Sequence, residues 1–252
     1  MSLPGAVSWP EYAAVLFDLD GVITPTAKVH RRAWSTMFDD FLGDPRAPGG
    51  GDRSPYTDAD YFAHVDGKPR YDGVRDFLGS RGIRLPEGKD DDPTTEVTIR
   101  GLGNRKDELF NVVLERDGVE AYPHSVSLLD HLARIGIPLA IVSSSRNAGA
   151  VLEAAGLTDR FRVVVSGAVA AEHGLRGKPA PDTFVYAAEV LGAQPATAVV
   201  VEDAVSGVRA GTAGGFGLVV GVDRGVGERA LLDAGAHVVV AELDELLPEG
   251  HR

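Results

Sequence analysis

There is no cysteine among the 252 residues. Disulfides, thiolate metal ligands and cysteine nucleophiles are therefore excluded, and a reducing compartment is permitted. Positive charge is scarce: 25 Lys and Arg stand against 37 Asp and Glu, a formal net charge of -12. That balance argues against a broad electrostatic footprint for nucleic acid or for an anionic membrane. A few local cations can still build a pocket for an anionic substrate. Long apolar runs are also missing. No stretch approaches the length of a membrane span. The first apolar run, residues 13–17, is too short for a signal segment and has no basic flank. A soluble, cytoplasmic protein is expected, with no nucleic-acid or membrane partner. A monomer is the default, since no long amphipathic seam is left over. What the chain does have is apolar content: it is 44% hydrophobic, spread along the length. That is enough for a packed core in one large or two smaller domains.

Six short apolar runs, rich in Val and Ile, cover residues 13–17, 137–142, 161–165, 198–201, 216–222 and 236–240. Near-continuous runs of this kind are how strands buried on both faces read. Helical patterns lie between them, at 125–135, 148–155 (stopped by Gly156) and 181–191 (opened by Pro181, stopped by Gly192). Alternating strands and helices predict an α/β fold with a doubly wound parallel sheet. Residues 27–122 lack such strand runs. Helical pieces at 27–41, 57–65, 71–81 and 106–115 instead predict a mostly helical insertion, with a Gly-, Pro- and Asp-rich stretch at 43–57. The expected division is a core of residues 1–26 and 123–252 with a cap of residues 27–122. Such a cap over the sheet's active edge would act as a lid.

Active sites in doubly wound sheets lie outside the carboxyl ends of the strands. Four polar clusters stand at or near such ends. The first strand run ends in Asp18-Leu19-Asp20-Gly21-Val22, two carboxylates beside a glycine. Oxygen ligands of this kind suit a hard cation such as Mg2+, and a carboxylate there suits nucleophilic attack on an anionic phosphate. Ser143 ends the second run. Lys178-Pro179-Ala180-Pro181-Asp182 and Glu202-Asp203-Ala204-Val205-Ser206-Gly207 follow. Singly, each has an ordinary reading: an acidic turn, a capping hydroxyl, a loop lysine, or Asp203 as a helix N-cap. Their gathering at strand ends favours a catalytic site, and the paired carboxylates suit phosphoryl transfer.

In that order the clusters resemble the four motifs of the haloacid dehalogenase-like superfamily, and within it the β-phosphoglucomutase-like subfamily, over nearly the whole chain. The resemblance implies a Rossmann-like core and Mg2+ as cofactor. It implies Asp18 as nucleophile forming an aspartyl-phosphate, Asp20 as general acid and base, and Ser143 and Lys178 as stabilisers of the transferring group. Asp18, the Asp20 carbonyl, Glu202 and Asp203 would hold the metal. Weaker matches point to substrate contacts: His30, with Trp34, on the first cap helix; Arg70 in Gly67-Lys68-Pro69-Arg70; Lys106 in Asn104-Arg105-Lys106; and Ser145-Arg146-Asn147. The implied substrate is a small phosphorylated sugar. The implied reaction is interconversion of β-glucose 1-phosphate and glucose 6-phosphate, with a sugar-phosphate phosphatase as the alternative. Departures from the family pattern are Pro25, where relatives carry Asp, Arg146 in place of Lys, and long loops at 43–57 and 85–98.

Other classes lack their signatures. No Gly-x-Gly-x-x-Gly follows the first strand run, there is no Gly-x-x-x-x-Gly-Lys-Ser/Thr, and no His-Glu-x-x-His pair occurs. A non-enzymatic binding module with a degenerate site would have lost at least one of Asp18, Asp20, Lys178 and Asp203, and all four are present.

Overall fold

The computed structural model describes residues 7–248 apart from Arg46 and Gly49. The extreme ends of the expected core, and those two positions in the 43–57 stretch, lie outside the described residues. The sheet has six strands: β1 (Ala14–Phe17), β2 (Leu139–Val142), β3 (Val163–Val165), β4 (Ala198–Glu202), β5 (Leu218–Val222) and β6 (Val238–Val240). All pairings are parallel, in the order β3-β2-β1-β4-β5-β6. The expected doubly wound α/β fold is what forms. Every residue of β1, β2 and β4 is buried, as the unbroken apolar runs require of strands covered on both faces.

The chain falls into two compact units. One is formed up to Pro25 and again from Val119, and the other is Thr26–Gly118; the sequence placed these divisions at 26/27 and 122/123. The inserted unit is helical, with α1 (Thr26–Gly43), α2 (Asp58–Asp60), α3 (Arg70–Ser80) and α4 (Ile99–Asp117). Its core packs Trp34, Phe38, Phe41, Tyr56, Phe77 and Leu102. Pro25 immediately precedes the first residue of α1, where a missing amide donor breaks no intrahelical bond.

Two expected helices differ from those observed. The 57–65 piece is one α-turn, α2, followed by a π-turn at Tyr61–Val65. The 106–115 piece is the C-terminal half of a longer helix, α4, that starts at Ile99. Thr98 caps it, its hydroxyl accepting from the Gly101 amide at 2.9 Å. Gly101 and Gly103 lowered the apparent helicity of that first turn. They are close-approach positions: a Cβ on Gly103 would stand 2.6 Å from the Tyr71 ring.

In the core unit, α5 (Pro123–Arg134), α6 (Ala148–Ala154), α7 (Gly167–Glu172), α8 (Asp182–Val190), α9 (Val205–Ala213) and α10 (Glu228–Ala234) complete the layers. The short helices α7 and α10 were not legible as helices, and of α9 the sequence marked only the strand-to-helix turn at Glu202-Asp203. Phe184, Ala187 and Ala188 of α8, with Val208 and Ala210 of α9, pack with Leu16, Val142 and Val200 of the sheet. Burial of each such Val, Leu or Phe contributes about 1.5–3 kcal/mol.

The pairing order places the chemistry. β1 lies between β2 and β4, with Phe17 beside Ile141 on one side and Val201 on the other. Asp18, Ser143 and Glu202 thus leave the sheet at neighbouring carboxyl ends, at the point where strand order reverses.

Candidate active site

The loop after β1 is a tight, backbone-bonded turn. The Ile23 and Thr24 amides both donate to the Leu19 carbonyl at 3.0 Å, and the Gly21 amide donates to the Thr24 carbonyl at 2.7 Å. Gly21 has φ 90°, a left-handed conformation that side-chain-bearing residues avoid. The glycine after the second aspartate is thus a requirement of the turn. Asp18 is tied to the sheet through its amide, which donates to the Val201 carbonyl at 2.9 Å.

Lys178 reaches Asp18 from a loop 160 residues away. Its buried ammonium stands 2.6 Å from Asp18 Oδ1 and 2.6 Å from Glu202 Oε1, and donates to the Val142 carbonyl at 2.8 Å. The second Glu202 oxygen accepts from the Ala204 amide at 2.9 Å. Glu202 is wholly buried, and its place depends on Gly207, because a Cβ there would overlap the Glu202 carboxylate. That is why the motif ends in glycine. Burial works against the Lys178 charge, but Asp18 and Glu202 outweigh it and raise its pKa above the ordinary lysine value. Burial pushes the Asp18 carboxyl well above the usual carboxylate range; Lys178 opposes the shift, while Glu202 and Asp20 add to it.

Asp18, Glu202 and Asp203 each offer an oxygen, all within 4.8 Å of one another, and all three residues are buried. Three clustered buried carboxylates, of which Asp18 and Glu202 pair with the Lys178 ammonium, leave an excess of negative charge. An all-oxygen donor set of that charge fits a hard divalent cation, so these residues could hold a metal ion. The residue at the N-cap of α9 is Ala204, one position after Asp203. The Asp20 carboxylate is not among the three clustered groups. It accepts instead from the Ser143 hydroxyl at 3.3 Å.

Ser143 opens a loop of nested hydroxyl turns. Its oxygen accepts from the Ser145 amide at 3.1 Å, and the Ser145 hydroxyl accepts from the Asn147 amide at 3.1 Å. Arg146 is exposed between them. Asp18, Asp20, Ser143, Lys178, Glu202 and Asp203, together with Ser145 to Asn147, all belong to the core unit.

Within the inserted unit, the structure brings His30 and Lys106 together. The buried Lys106 ammonium contacts His30 Nδ1 and lies 5.3 and 5.1 Å from the Trp34 and Phe110 ring centres. His30 stacks on Phe110 with centroids 4.0 Å apart. Trp34 stacks on Phe38 in the hydrophobic core, which accounts for its indole by packing. Arg70 is paired with Asp107 at 2.6 Å and donates to Asn104 and to the Tyr71 hydroxyl. Sequence reading missed Asp107, the Val142 carbonyl and the Ala204 amide. No motif marks such partners, because backbone groups and distant carboxylates carry no signature of their own.

Comparison with known proteins gives the same picture. A family model described as haloacid dehalogenase-like hydrolase matches residues 12–215. The β-phosphoglucomutase of Mycobacterium tuberculosis is 47% identical over 240 residues, covering 93% of this chain and 91% of that protein. Hexitol phosphatase A of Escherichia coli is 31% identical over 206 residues, covering 79% and 78%. The crystal structure of β-phosphoglucomutase from Clostridium difficile superimposes with a TM-score of 0.71 at 25% identity, covering 94% and 93%. Sequence, fold and the ordered carboxylate–serine–lysine–carboxylate site agree: this chain is a β-phosphoglucomutase-like enzyme and belongs to the haloacid dehalogenase-like hydrolase family.

Proposed function

We propose that this enzyme is a Mg2+-dependent phosphotransferase that interconverts β-glucose 1-phosphate and glucose 6-phosphate through an aspartyl-phosphate on Asp18. The observation that carries the reading is the single ammonium of Lys178 lodged between Asp18 and Glu202, with Asp203 alongside. A carboxylate so placed attacks phosphorus while Lys178 balances the charge that gathers on the phosphoryl oxygens. Asp20 gives a proton to the leaving sugar oxygen and takes one from the incoming hydroxyl. Its hydrogen bond from Ser143 orients it for both tasks. Asp18, Glu202, Asp203 and the Asp20 carbonyl would hold Mg2+, which when bound supplies countercharge between carboxylate and phosphate.

In the same reading Arg70 of the inserted unit grips the substrate's non-transferring phosphate, Ser145, Arg146 and Asn147 of the core unit hold a phosphate, and the His30–Lys106 pair serves substrate binding. Asp107 holds the Arg70 fork in one orientation, which suits bidentate phosphate contact. The substrate is a small phosphorylated sugar. No helix among the described residues is long and apolar enough to cross a membrane, and the excess of acidic groups disfavours nucleic acid. A cytoplasmic monomer completes the reading.

The alternative is a sugar-phosphate phosphatase, with water accepting the phosphoryl group. It is favoured by the 31% identity to a hexitol phosphatase. One assay separates the two. β-Glucose 1-phosphate is supplied with Mg2+ and a bisphosphorylated sugar primer, and glucose 6-phosphate is followed against free phosphate. Rapid phosphate release without isomerised sugar would overturn the mutase. Asp18→Asn is expected to reduce turnover to background, since an amide cannot be the nucleophile. Full turnover by that variant would sink both versions.

A further inference from the structure

Arg224 belongs to none of the four motifs, yet it ties the catalytic turn to the rest of the core unit. It stands on the loop after β5. That loop is itself pinned: the Asp223 carboxylate accepts from the Gly225 and Gly227 amides at 2.9 and 3.0 Å, and the Asp223 amide donates to the Val240 carbonyl. From this base the Arg224 Nε donates to the Gly21 carbonyl at 2.8 Å, across 203 residues of sequence. Its two terminal nitrogens form a forked pair with both Glu242 oxygens at 2.9 and 3.0 Å, and one also donates to the Ala241 carbonyl at 3.0 Å. The guanidinium lies over Tyr122, 4.2 Å from the ring centre. Tyr122 in turn bonds the same turn: its amide donates to the Ile23 carbonyl at 2.9 Å, and the Ser125 hydroxyl donates to the Val22 carbonyl at 2.7 Å.

We propose that Arg224 is a positioning residue for the phosphoryl-transfer reaction: by holding the Gly21 carbonyl against Glu242 and Tyr122, it sets the orientation of the turn that presents Asp20. The proposal rests on the reading that Asp20 moves the proton. Gly21 is the left-handed residue directly after Asp20; its carbonyl lies in the Gly21–Val22 peptide, so displacement of that plane turns the backbone at Gly21 and is passed to Asp20 through the tight turn. A planar fork suits this duty, since one guanidinium can face a carbonyl on one edge, a carboxylate on another and an aromatic ring on its face. A lysine has a single point of donation and cannot span the three. Glu242 and the Ala241 carbonyl fix the fork, and Tyr122 supports it from below. Misplacement of a reacting group by about 1 Å costs on the order of a hundredfold in rate, so loss of this tie is expected to appear in kcat.

The test uses the full chain and two independent readouts. In Arg224→Gln, Arg224→Lys and Glu242→Gln, amide hydrogen exchange is measured over residues 19–24, and kcat and KM are measured for β-glucose 1-phosphate with Mg2+ and primer. Exchange at Gly21, Ile23 and Thr24 is expected to accelerate about tenfold or more in Arg224→Gln, with strand β4 unchanged. In the same variant kcat is expected to fall about tenfold or more, with KM within about threefold of wild type. Arg224→Lys and Glu242→Gln should fall between Arg224→Gln and wild type on both scales, and they carry the test if Arg224→Gln does not fold. Arg229→Gln, on an exposed surface pair, should match wild type. Unchanged exchange over 19–24 in the folded variants overturns the proposal whatever the activity. Accelerated exchange with wild-type kcat also overturns it, and reduces Arg224 to a structural tie. Failure of the underlying reading shows separately, as wild-type kcat retained by Asp20→Asn.

Discussion

Replacing Lys178 by methionine keeps most of the side-chain volume and removes one charge from the most enclosed part of the core unit. The Lys178 side chain is 1% exposed, that of Glu202 0% and that of Asp18 9%. Both carboxylates stand 2.6 Å from the ammonium. Without it, two like charges share a buried site and each loses its partner. Removing one member of a buried pair typically costs about 3–5 kcal/mol. For a unit of this size that corresponds to a fall of about 6–20 °C in midpoint temperature. The cost arises from the orphaned carboxylates, so Glu202→Gln in the Lys178→Met background should recover roughly half of it, about 2 kcal/mol. The amide oxygen introduced by that second substitution can still accept from the Ala204 amide. The chain carries two tryptophans, Trp9 in the core unit and Trp34 in the inserted one. A Trp34→Phe background therefore makes Trp9 fluorescence a reporter of core unfolding alone. Trp9 is buried and donates to the Leu246 carbonyl at 3.1 Å, so its emission should change sharply when the core opens. A Lys178→Met midpoint within about 2 °C of its parent, or a double variant less stable than Lys178→Met, would refute the charge-burial account.

Three further outcomes follow from the same geometry. Burial raises the folded-state pKa of Asp18, so the folded protein binds that proton more tightly than the unfolded chain. Without a cation, the stability this lends is fully present below the ordinary carboxylate range and is lost as pH rises through the raised value. Mg2+ competes with that proton, so its stabilisation should be greater at about pH 8 than at about pH 5. At saturation near a hundred times Kd it should approach about 2.7 kcal/mol. Thermal melts with and without Mg2+ measure this, and equal shifts at both pH values would contradict it. Gly207→Ala places a methyl into the Glu202 carboxylate. It should destabilise the core by about 1–3 kcal/mol and, by moving Glu202 off Lys178, lower turnover; a variant that melts and turns over like wild type would show that Glu202 has room to yield. Asp20→Asn should lose about a hundredfold to ten-thousandfold in kcat while Asp18 is still phosphorylated by the primer at a detectable rate. Loss of both activities in parallel would assign Asp20 to structure.

Much of the fold was legible because buried parallel strands write themselves as short, unbroken Val- and Ile-rich runs. All six runs became strands, mostly shortened by one or two residues at their starts, where backbone pairing rather than side-chain type decides. Helices with a strong apolar face or clear stops were read in place. α4 was read short because Gly101 and Gly103 hide its first turn, and those glycines answer to the Glu96 carbonyl and the Tyr71 ring, which are tertiary neighbours. The short helices α7 and α10 derive their stability mainly from packing, so little of them shows in local pattern. Trp34 was legible as a candidate on the first cap helix but not as a member of the inserted unit's core. Arg70 was legible as a cation but not as half of a pair with Asp107.

What the sequence alone determined was the inventory and its order. Two aspartates end the first strand, a serine ends the second, a lysine precedes a helix, and a Glu-Asp pair ends the fourth strand. Chemistry of this kind is carried by residue type, and residue type is local. Tertiary structure decided which of these groups meet. Strand order sets β2 and β4 on either side of β1 and so gathers ends that lie far apart in the chain. Packing then divided the Lys178 ammonium between Asp18 and Glu202, left Asp20 to Ser143, and brought Arg224 to the Gly21 carbonyl. Such contacts depend on the sum of all non-local burial, and no window of sequence contains that sum.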